Sequence, residues 1–478
     1  MADTPPGPVP KDGPFSSIRR LRSSAGVPAE AEATAEPVAE AAPERVPQEN
    51  CFSFFKGAED ILAPKEGKAF EWDHAAAKVR ENLNDAMNAK NVAFLLGSGC
   101  SSYQTDTAQV GIPTMKPMAA KFIGTVGAEG DDYLTTDAER RIMQERLGLD
   151  ITADEYAQNL ERLMEALYSF EFVLKRSNNE QLTGASDTVR SVIDKITRYI
   201  LRNCTSGAFS EGDETVSNLY QAFYRKLIYR DRALPRPWIF STNYDLFNEV
   251  AMDRVGVPYF NGFSGTVERR FNPSTFRYSL AEQLDISSRK WTAVDNFVYL
   301  CKLHGSINWV EQTTGLFRIR ELQNAPADGA GRVMIFPTPA KQNASFASPY
   351  SDLFREFHAR IIRDQSVLFV LGYSFGDEHV NNIIFQALTI PTFRMIAFVD
   401  PGSPGVVSQL RELNDPRIWI IGGDGPSVGR KAHYFDTFVE KFMPEPPGDK
   451  VDTAVAKVLN TLMAKSKDID DKGDNDDI

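Results

Sequence analysis

The sequence predicts an α/β protein built on a doubly wound parallel sheet and interrupted by a helical insertion. Three observations carry that prediction. Short apolar runs recur along the chain and end at Gly, Asn, Asp or Pro, as inner parallel strands do. Stretches of helical periodicity separate them, the alternation expected of a sheet covered on both faces. Between about 115 and 235 the strand runs stop and only helical spacing remains, so that interval reads as an insertion between the first two strands of the sheet.

In chain order, residues 1–65 read as a disordered tail, because Pro5-Pro-Gly-Pro-Val-Pro10 and the Ala/Glu/Pro stretch Pro28–Pro47 offer no face to pack. Val92–Leu96 is the first strand and runs directly into Gly97-Ser98-Gly99-Cys100-Ser101. Within the insertion, Leu160, Leu163, Met164, Leu167 and Phe170 fall on one helical face, as do Val189, Val192, Ile193, Ile196 and Ile200. Further strands are expected at Trp238–Thr242, Val298–Leu303, Val333–Phe336, Val367–Leu371, Met395–Val399 and Ile418–Ile421. The main domain is thus expected over 66–404, a carboxyl-terminal α/β extension over 405–464, and an acidic disordered tail over 465–478.

Composition narrows the function. A chain of 478 residues, 42% hydrophobic, can bury a substantial core. A net charge of −12 argues against a duplex nucleic-acid partner and against anionic membranes. No apolar run is long enough for a bilayer span, and the amino terminus lacks a secretory h-region, so a cytoplasmic protein is expected. Cys51, Cys100, Cys204 and Cys301 lie far apart without a Cys-x-x-Cys pair, which points to reduced thiols and to no metal cluster.

The chemistry-bearing residues gather at strand ends. Gly97 and Gly99 permit a sharp turn and close approach to a ligand, with Ser98, Cys100 and Ser101 offering small polar contacts; such a loop can hold a nucleotide pyrophosphate. Trp238-Ile-Phe-Ser-Thr-Asn-Tyr-Asp245 delivers Thr242, Asn243 and Asp245 ahead of a helix from Leu246, either as ligands or as cap and turn residues. Tyr299-Leu-Cys-Lys-Leu-His-Gly-Ser306 ends in His304, which can exchange protons near neutrality or simply close a strand end by hydrogen bonding. Val367-Leu-Phe-Val-Leu-Gly-Tyr-Ser-Phe-Gly-Asp-Glu-His379 supplies Gly372, Tyr373 and Ser374, with Asp377 in position to cap a helix from Glu378. Asp400, before Pro401, either binds ribose hydroxyls or starts a turn. In a parallel sheet these ends share one rim.

Taken together, Gly-Ser-Gly-Cys-Ser (97–101), Gly-Ile-Pro (111–113), Ser-Thr-Asn-Tyr-Asp (241–245), Leu-His-Gly (303–305) and Gly-Tyr-Ser-Phe-Gly-Asp (372–377) resemble the SIR2 (sirtuin) superfamily over roughly residues 90–400. The likeness is greatest to its bacterial SIR2-like antiphage-defence branch. The resemblance implies a Rossmann-like NAD-binding fold, NAD⁺ as substrate, and cleavage of the nicotinamide–ribose bond. It implies Asn243 and His304 as catalytic residues. Gly97, Ser98, Gly99, Cys100, Ser101, Thr242, Asp245, Gly372, Tyr373, Ser374 and Asp400 are the expected dinucleotide contacts, the 97–101 turn cradling the pyrophosphate and Ser374 with Asp400 holding the adenosine side. It further implies a homo-oligomer and a HerA-like ATPase or another defence protein as partner.

The departures from the family shape the expected activity. The four-cysteine zinc module of deacylases has no counterpart here, and their Thr-Gln-Asn-Ile-Asp motif becomes Ser241-Thr-Asn-Tyr-Asp245. Gly111-Ile-Pro113 continues as Thr114-Met115 instead of Asp-Phe-Arg. NAD⁺ hydrolysis is therefore the leading expectation. A protein deacylase or ADP-ribosyltransferase, and a non-catalytic NAD or ADP-ribose sensor gating a partner, are the alternatives.

Overall fold

The computed structural model describes residues 52–63, 70–105, 108–177, 179, 184–206, 213–285, 290–312, 318–325, 332–335 and 348–444. Its centre is a nine-stranded sheet in the order Glu59–Asp60, Ser53–Lys56, Ile418–Gly422, Arg394–Phe398, Ser366–Leu371, Asn91–Leu96, Trp238–Ser241, Val298–Lys302 and Tyr259–Phe260. From Ile418–Gly422 to Tyr259–Phe260 every pairing is parallel. The inner strands are apolar on both faces because helices cover both, and Leu95, Leu96, Leu368, Phe369 and Leu371 are wholly buried. Each such side chain contributes about 1.5–3 kcal/mol of transfer free energy.

Strand order fixes where a ligand can enter. The chain lays down Asn91–Leu96, moves to one side through Trp238–Ser241 and Val298–Lys302, then returns to the other side of the first strand with Ser366–Leu371. The reversal puts a topological switch point at the carboxyl ends of Asn91–Leu96 and Ser366–Leu371, where neighbouring connections diverge and leave a crevice. The insertion is helical as expected: Met115–Gly124, Asp137–Leu147, Asp154–Gln158, Leu160–Leu174, Ser186–Ser206 and Thr215–Leu227. Its apolar stripes, including Leu160, Leu163, Leu167, Val189, Val192 and Ile196, are buried as packing faces.

Three expectations are corrected. The Val333–Phe336 run is not a member of the parallel sheet. Arg332–Ile335 pairs antiparallel with Gly305–Glu311 in a separate five-stranded sheet, while Phe336 lies outside the described residues. A short apolar run reports burial, not which sheet supplies it. The tail does not extend to residue 65, because Ser53–Lys56 pairs antiparallel with Ile418–Gly422 and buries Phe52 and Phe54. Nor does residue 405 mark the end of the sheet, since Ile418–Gly422 lies within it between Ser53–Lys56 and Arg394–Phe398. The remaining tail residues lie outside the described ones.

Candidate functional site

A cavity opens at the switch point. It is lined from the strand ends by Ser98, Ser101, Thr242, Asn243, Tyr244, Asp245, His304, Gly372, Tyr373, Ser374, Gly376 and Asp377. The segment leading into the insertion adds Ile112 and Pro113, and the insertion itself adds Met115, Met118, Asn159, Glu161, Ile200 and Cys204. The amide and the imidazole singled out in the sequence therefore share one chamber.

Asn243 is held by its own amide. Its Nδ2 donates to Gly97 O (2.9 Å) and to Ser101 Oγ (2.9 Å). Ser101 Oγ in turn donates to Asp245 Oδ2 at 2.6 Å, and Asp245 Oδ1 accepts from Phe247 N at the start of the Phe247–Val255 helix. Asp245 thus holds the first amide of that helix and braces the glycine turn. Asn243 is only 6% exposed, and its Oδ1 has no hydrogen-bond partner among the described residues. A buried amide oxygen left in this state costs about 1–3 kcal/mol unless something binds it.

His304 is buried, with its ring 6.4 Å from the Tyr244 ring and 6.4 Å from that of Phe354. Its Nε2 lies 3.0 Å from Asp377 Oδ2. The other oxygen of Asp377 accepts from His379 N (2.8 Å) and Val380 N (3.2 Å), capping the Glu378–Leu388 helix. The capping role foreseen for Asp377 is real, and the same carboxylate also lies within ion-pair distance of the histidine. The Tyr373 hydroxyl accepts from Asp377 N (3.2 Å) and donates to Asn381 Oδ1 (3.0 Å), fixing the turn that carries them.

Behind the strand-end loops lies a lysine whose role no sequence motif shows. Lys302 is 1% exposed; its Nζ donates to Tyr244 O (3.2 Å), Asp245 O and Ser306 Oγ (2.7 Å), and sits 3.2 Å from Glu249 Oε1. One ammonium therefore ties the Asn243 loop to the His304 turn. Desolvation pushes the Glu249 carboxyl up to about 6, against the pull of Lys302. A lysine inside the otherwise apolar run Val298–Leu303 was the available signal, because such a charge stays buried only when paired.

The glycines serve a different purpose from the one expected. A Cβ on Gly97 would lie 2.4 Å from Gly372 O, and one on Gly372, whose φ is +59°, would lie 2.5 Å from Cys100 N. Gly97 N donates to Leu371 O and Gly99 N to Gly372 O, both at 2.9 Å. These residues let two strand-end turns pack on each other, so the amides of Gly97 and Gly99 are spent on that contact and not on a pyrophosphate. Neither they nor Cys100 line the cavity. Cys100 is wholly buried, its Sγ donating to Leu371 O, and burial raises its thiol pKa well above the ordinary value. Asp400 also stands outside the cavity: it is exposed, and its Oδ1 accepts from Gly402 N at 2.9 Å as a turn former.

Residues 237–415 match the SIR2-like domain family. The chain carries a SIR2-like domain. The matched interval holds Asn243, His304 and the Gly372–Asp377 turn, whereas the Gly97–Ser101 turn and the helical insertion precede it. SIR2-like domains use NAD and are commonly enzymes, which fits a cavity at a Rossmann-like switch point. No curated protein matches the chain. Among the described residues no group of three or more His, Cys, Asp or Glu converges as metal ligands, and no helix is long and apolar enough to cross a membrane.

Proposed function

We propose that the SIR2-like cavity binds NAD⁺ and hydrolyses its nicotinamide–ribose bond, giving nicotinamide and ADP-ribose. The observation that carries this reading is the buried Asn243 Oδ1, without a hydrogen-bond partner among the described residues, in the same cavity wall as His304, whose Nε2 lies 3.0 Å from a carboxylate oxygen of Asp377. In the reaction the C–N bond breaks with its electron pair leaving on the pyridine nitrogen. Positive charge moves to the ribose, and water attacks the anomeric carbon. Nicotinamide leaves as a neutral molecule, so no strong acid is required. Asn243 Oδ1 accepts from a ribose hydroxyl or from the water, and the His304 imidazole takes the proton that the water gives up. Ile112, Pro113, Met115, Met118 and Ile200 supply apolar walls that limit stray water.

Incubation of the full chain with NAD⁺, with separation of nicotinamide and ADP-ribose, tests the proposal. Product forms without any peptide, Asn243→Ala lowers kcat by about 10²–10³, and His304→Ala lowers it by about 10²–10⁴. Product only in the presence of an acyl-peptide means a deacylase instead, and NAD⁺ binding without product means a sensor. The likeness to the defence branch supports NAD⁺ depletion during phage infection as the setting. It likewise supports a second copy or a HerA-like ATPase as the activating partner, to be added where the chain alone is silent.

A further inference from the structure

The cavity wall is acidic. Glu161, Asp245 and Asp377 line it, together with His304, and no lysine or arginine does so among the described residues. A dinucleotide carries two phosphates, so this lining is matched to the one cationic part of NAD⁺, its pyridinium ring. Asp245 holds Ser101 and Phe247 N, while Asp377 caps a helix and faces His304. Glu161 comes from elsewhere, the first turn of the insertion helix Leu160–Leu174, outside the SIR2-like match. Asn159 Oδ1 accepts from Glu161 N at 2.8 Å and sets that turn against the cavity. The Tyr244 hydroxyl donates to Glu161 Oε1 at 3.3 Å, and the Tyr244 ring lies beside His304. Tyr244 stands where the deacylase motif has isoleucine, so the hydroxyl that fixes this carboxylate is a departure of this chain from that motif. The carboxylate is therefore placed toward the histidine in the cavity, whose wall also holds the buried Asn243 Oδ1, without a hydrogen-bond partner among the described residues.

We infer that Glu161 is a specificity residue that selects oxidised over reduced cofactor by facing the pyridinium. This rests on the NAD⁺ reading of the cavity. The positive charge stays close by throughout, shifting only from the ring nitrogen to the adjacent ribose carbon as the bond breaks. A carboxylate near both favours the bound ground state and transition state alike, and its loss appears in KM rather than kcat. The dihydropyridine of NADH is neutral and forgoes that attraction.

The test is a binding titration of the full-length chain with NADH and with a carbocyclic NAD⁺ analogue, whose CH₂ in place of the ribose ring oxygen prevents cleavage. The wild type binds the cationic analogue about tenfold or more tightly than NADH, and Glu161→Gln brings that ratio toward unity. In turnover assays the same variant raises KM for NAD⁺ about tenfold with kcat within about threefold. Equal affinities in the wild type, or an unchanged ratio in the variant, overturn the inference while leaving the NAD reading intact. Failure to bind either ligand overturns both. A purely structural role lowers the melting temperature of Glu161→Gln and leaves the ratio at its wild-type value, which also overturns the inference.

Discussion

Asp377 shows how one side chain can satisfy two demands that sequence inspection treats as alternatives. Its Oδ1 caps the Glu378–Leu388 helix, and its Oδ2 lies 3.0 Å from His304 Nε2. Replacement by Asn keeps a capping oxygen, so the helix and the fold survive with a loss of about 1 kcal/mol or less. What goes is the negative charge 3.0 Å from the imidazole. Asp377→Asn is accordingly expected to lower kcat about 10-fold to 100-fold with KM for NAD⁺ nearly unchanged, measured by nicotinamide release over a range of NAD⁺ concentrations. A parallel rise in KM, or a loss of stability matching the loss of rate, would assign Asp377 to the scaffold alone. The capping half of this role was legible, because an acidic residue ahead of an apolar helical stripe is a local signal. The contact with His304 was not, since the residues are brought together by two different strands of the sheet.

At the scale of the elements, the site depends on how the strand-end turns are locked together. Lys302 bridges the loop after Trp238–Ser241 and the turn after its own strand, with Glu249 as counter-charge. Lys302→Met leaves Glu249 buried beside a neutral side chain and is expected to cost about 3–5 kcal/mol of stability. Adding Glu249→Gln removes the stranded charge and restores most of it. It does not restore the hydrogen bonds to Tyr244 O, Asp245 O and Ser306, so the double variant folds but hydrolyses NAD⁺ poorly. The pH dependence follows from the same pair. Burial raises the Glu249 carboxyl from 4.5 in the unfolded chain to about 6 in the folded one, so the folded state binds the proton more tightly. That contribution to stability is full below pH 4.5 and is lost as pH rises through 6, about 2 kcal/mol in all. Denaturant melts between pH 4.5 and 7 will therefore be flatter in the double variant than in the wild type by up to that amount. If the single and double variants were equally stable, Lys302 would not be neutralising Glu249. The strand positions and the glycine turns could be read from the sequence because apolar runs and left-handed turns leave local marks. That the glycines are spent on packing one turn against another is a property of two segments 275 residues apart (Gly97 and Gly372), and no local pattern records it.

Over the whole molecule, alternation of strand and helix predicted the parallel sheet and its helical insertion, and hence the rim on which the site lies. Composition misjudged the amino-terminal edge, because the proline-rich run that precedes Phe52 masked a four-residue strand too short to show a period. Ser53–Lys56, with Glu59–Asp60 outside it, nevertheless closes the sheet: it pairs with Ile418–Gly422, buries Phe54 against Trp419, and packs Phe52 against both Trp72 and Phe442. Without it the Ile418–Gly422 strand, apolar and buried along its length, becomes an open edge able to pair with another chain. A chain starting at Glu66 is therefore expected to be less stable than one starting at Glu49 by at least the roughly 3–5 kcal/mol typical of removing one buried phenylalanine, and to associate in solution. Guanidinium unfolding compares the two, and light scattering at rising protein concentration detects the association. Phe54→Ala in the longer chain separates the causes, since it removes the packing and leaves the strand pairing in place. It should reproduce the loss of stability without the association. Equal unfolding midpoints for the two truncations would show that Ser53–Lys56 and Glu59–Asp60 contribute nothing to the sheet they complete.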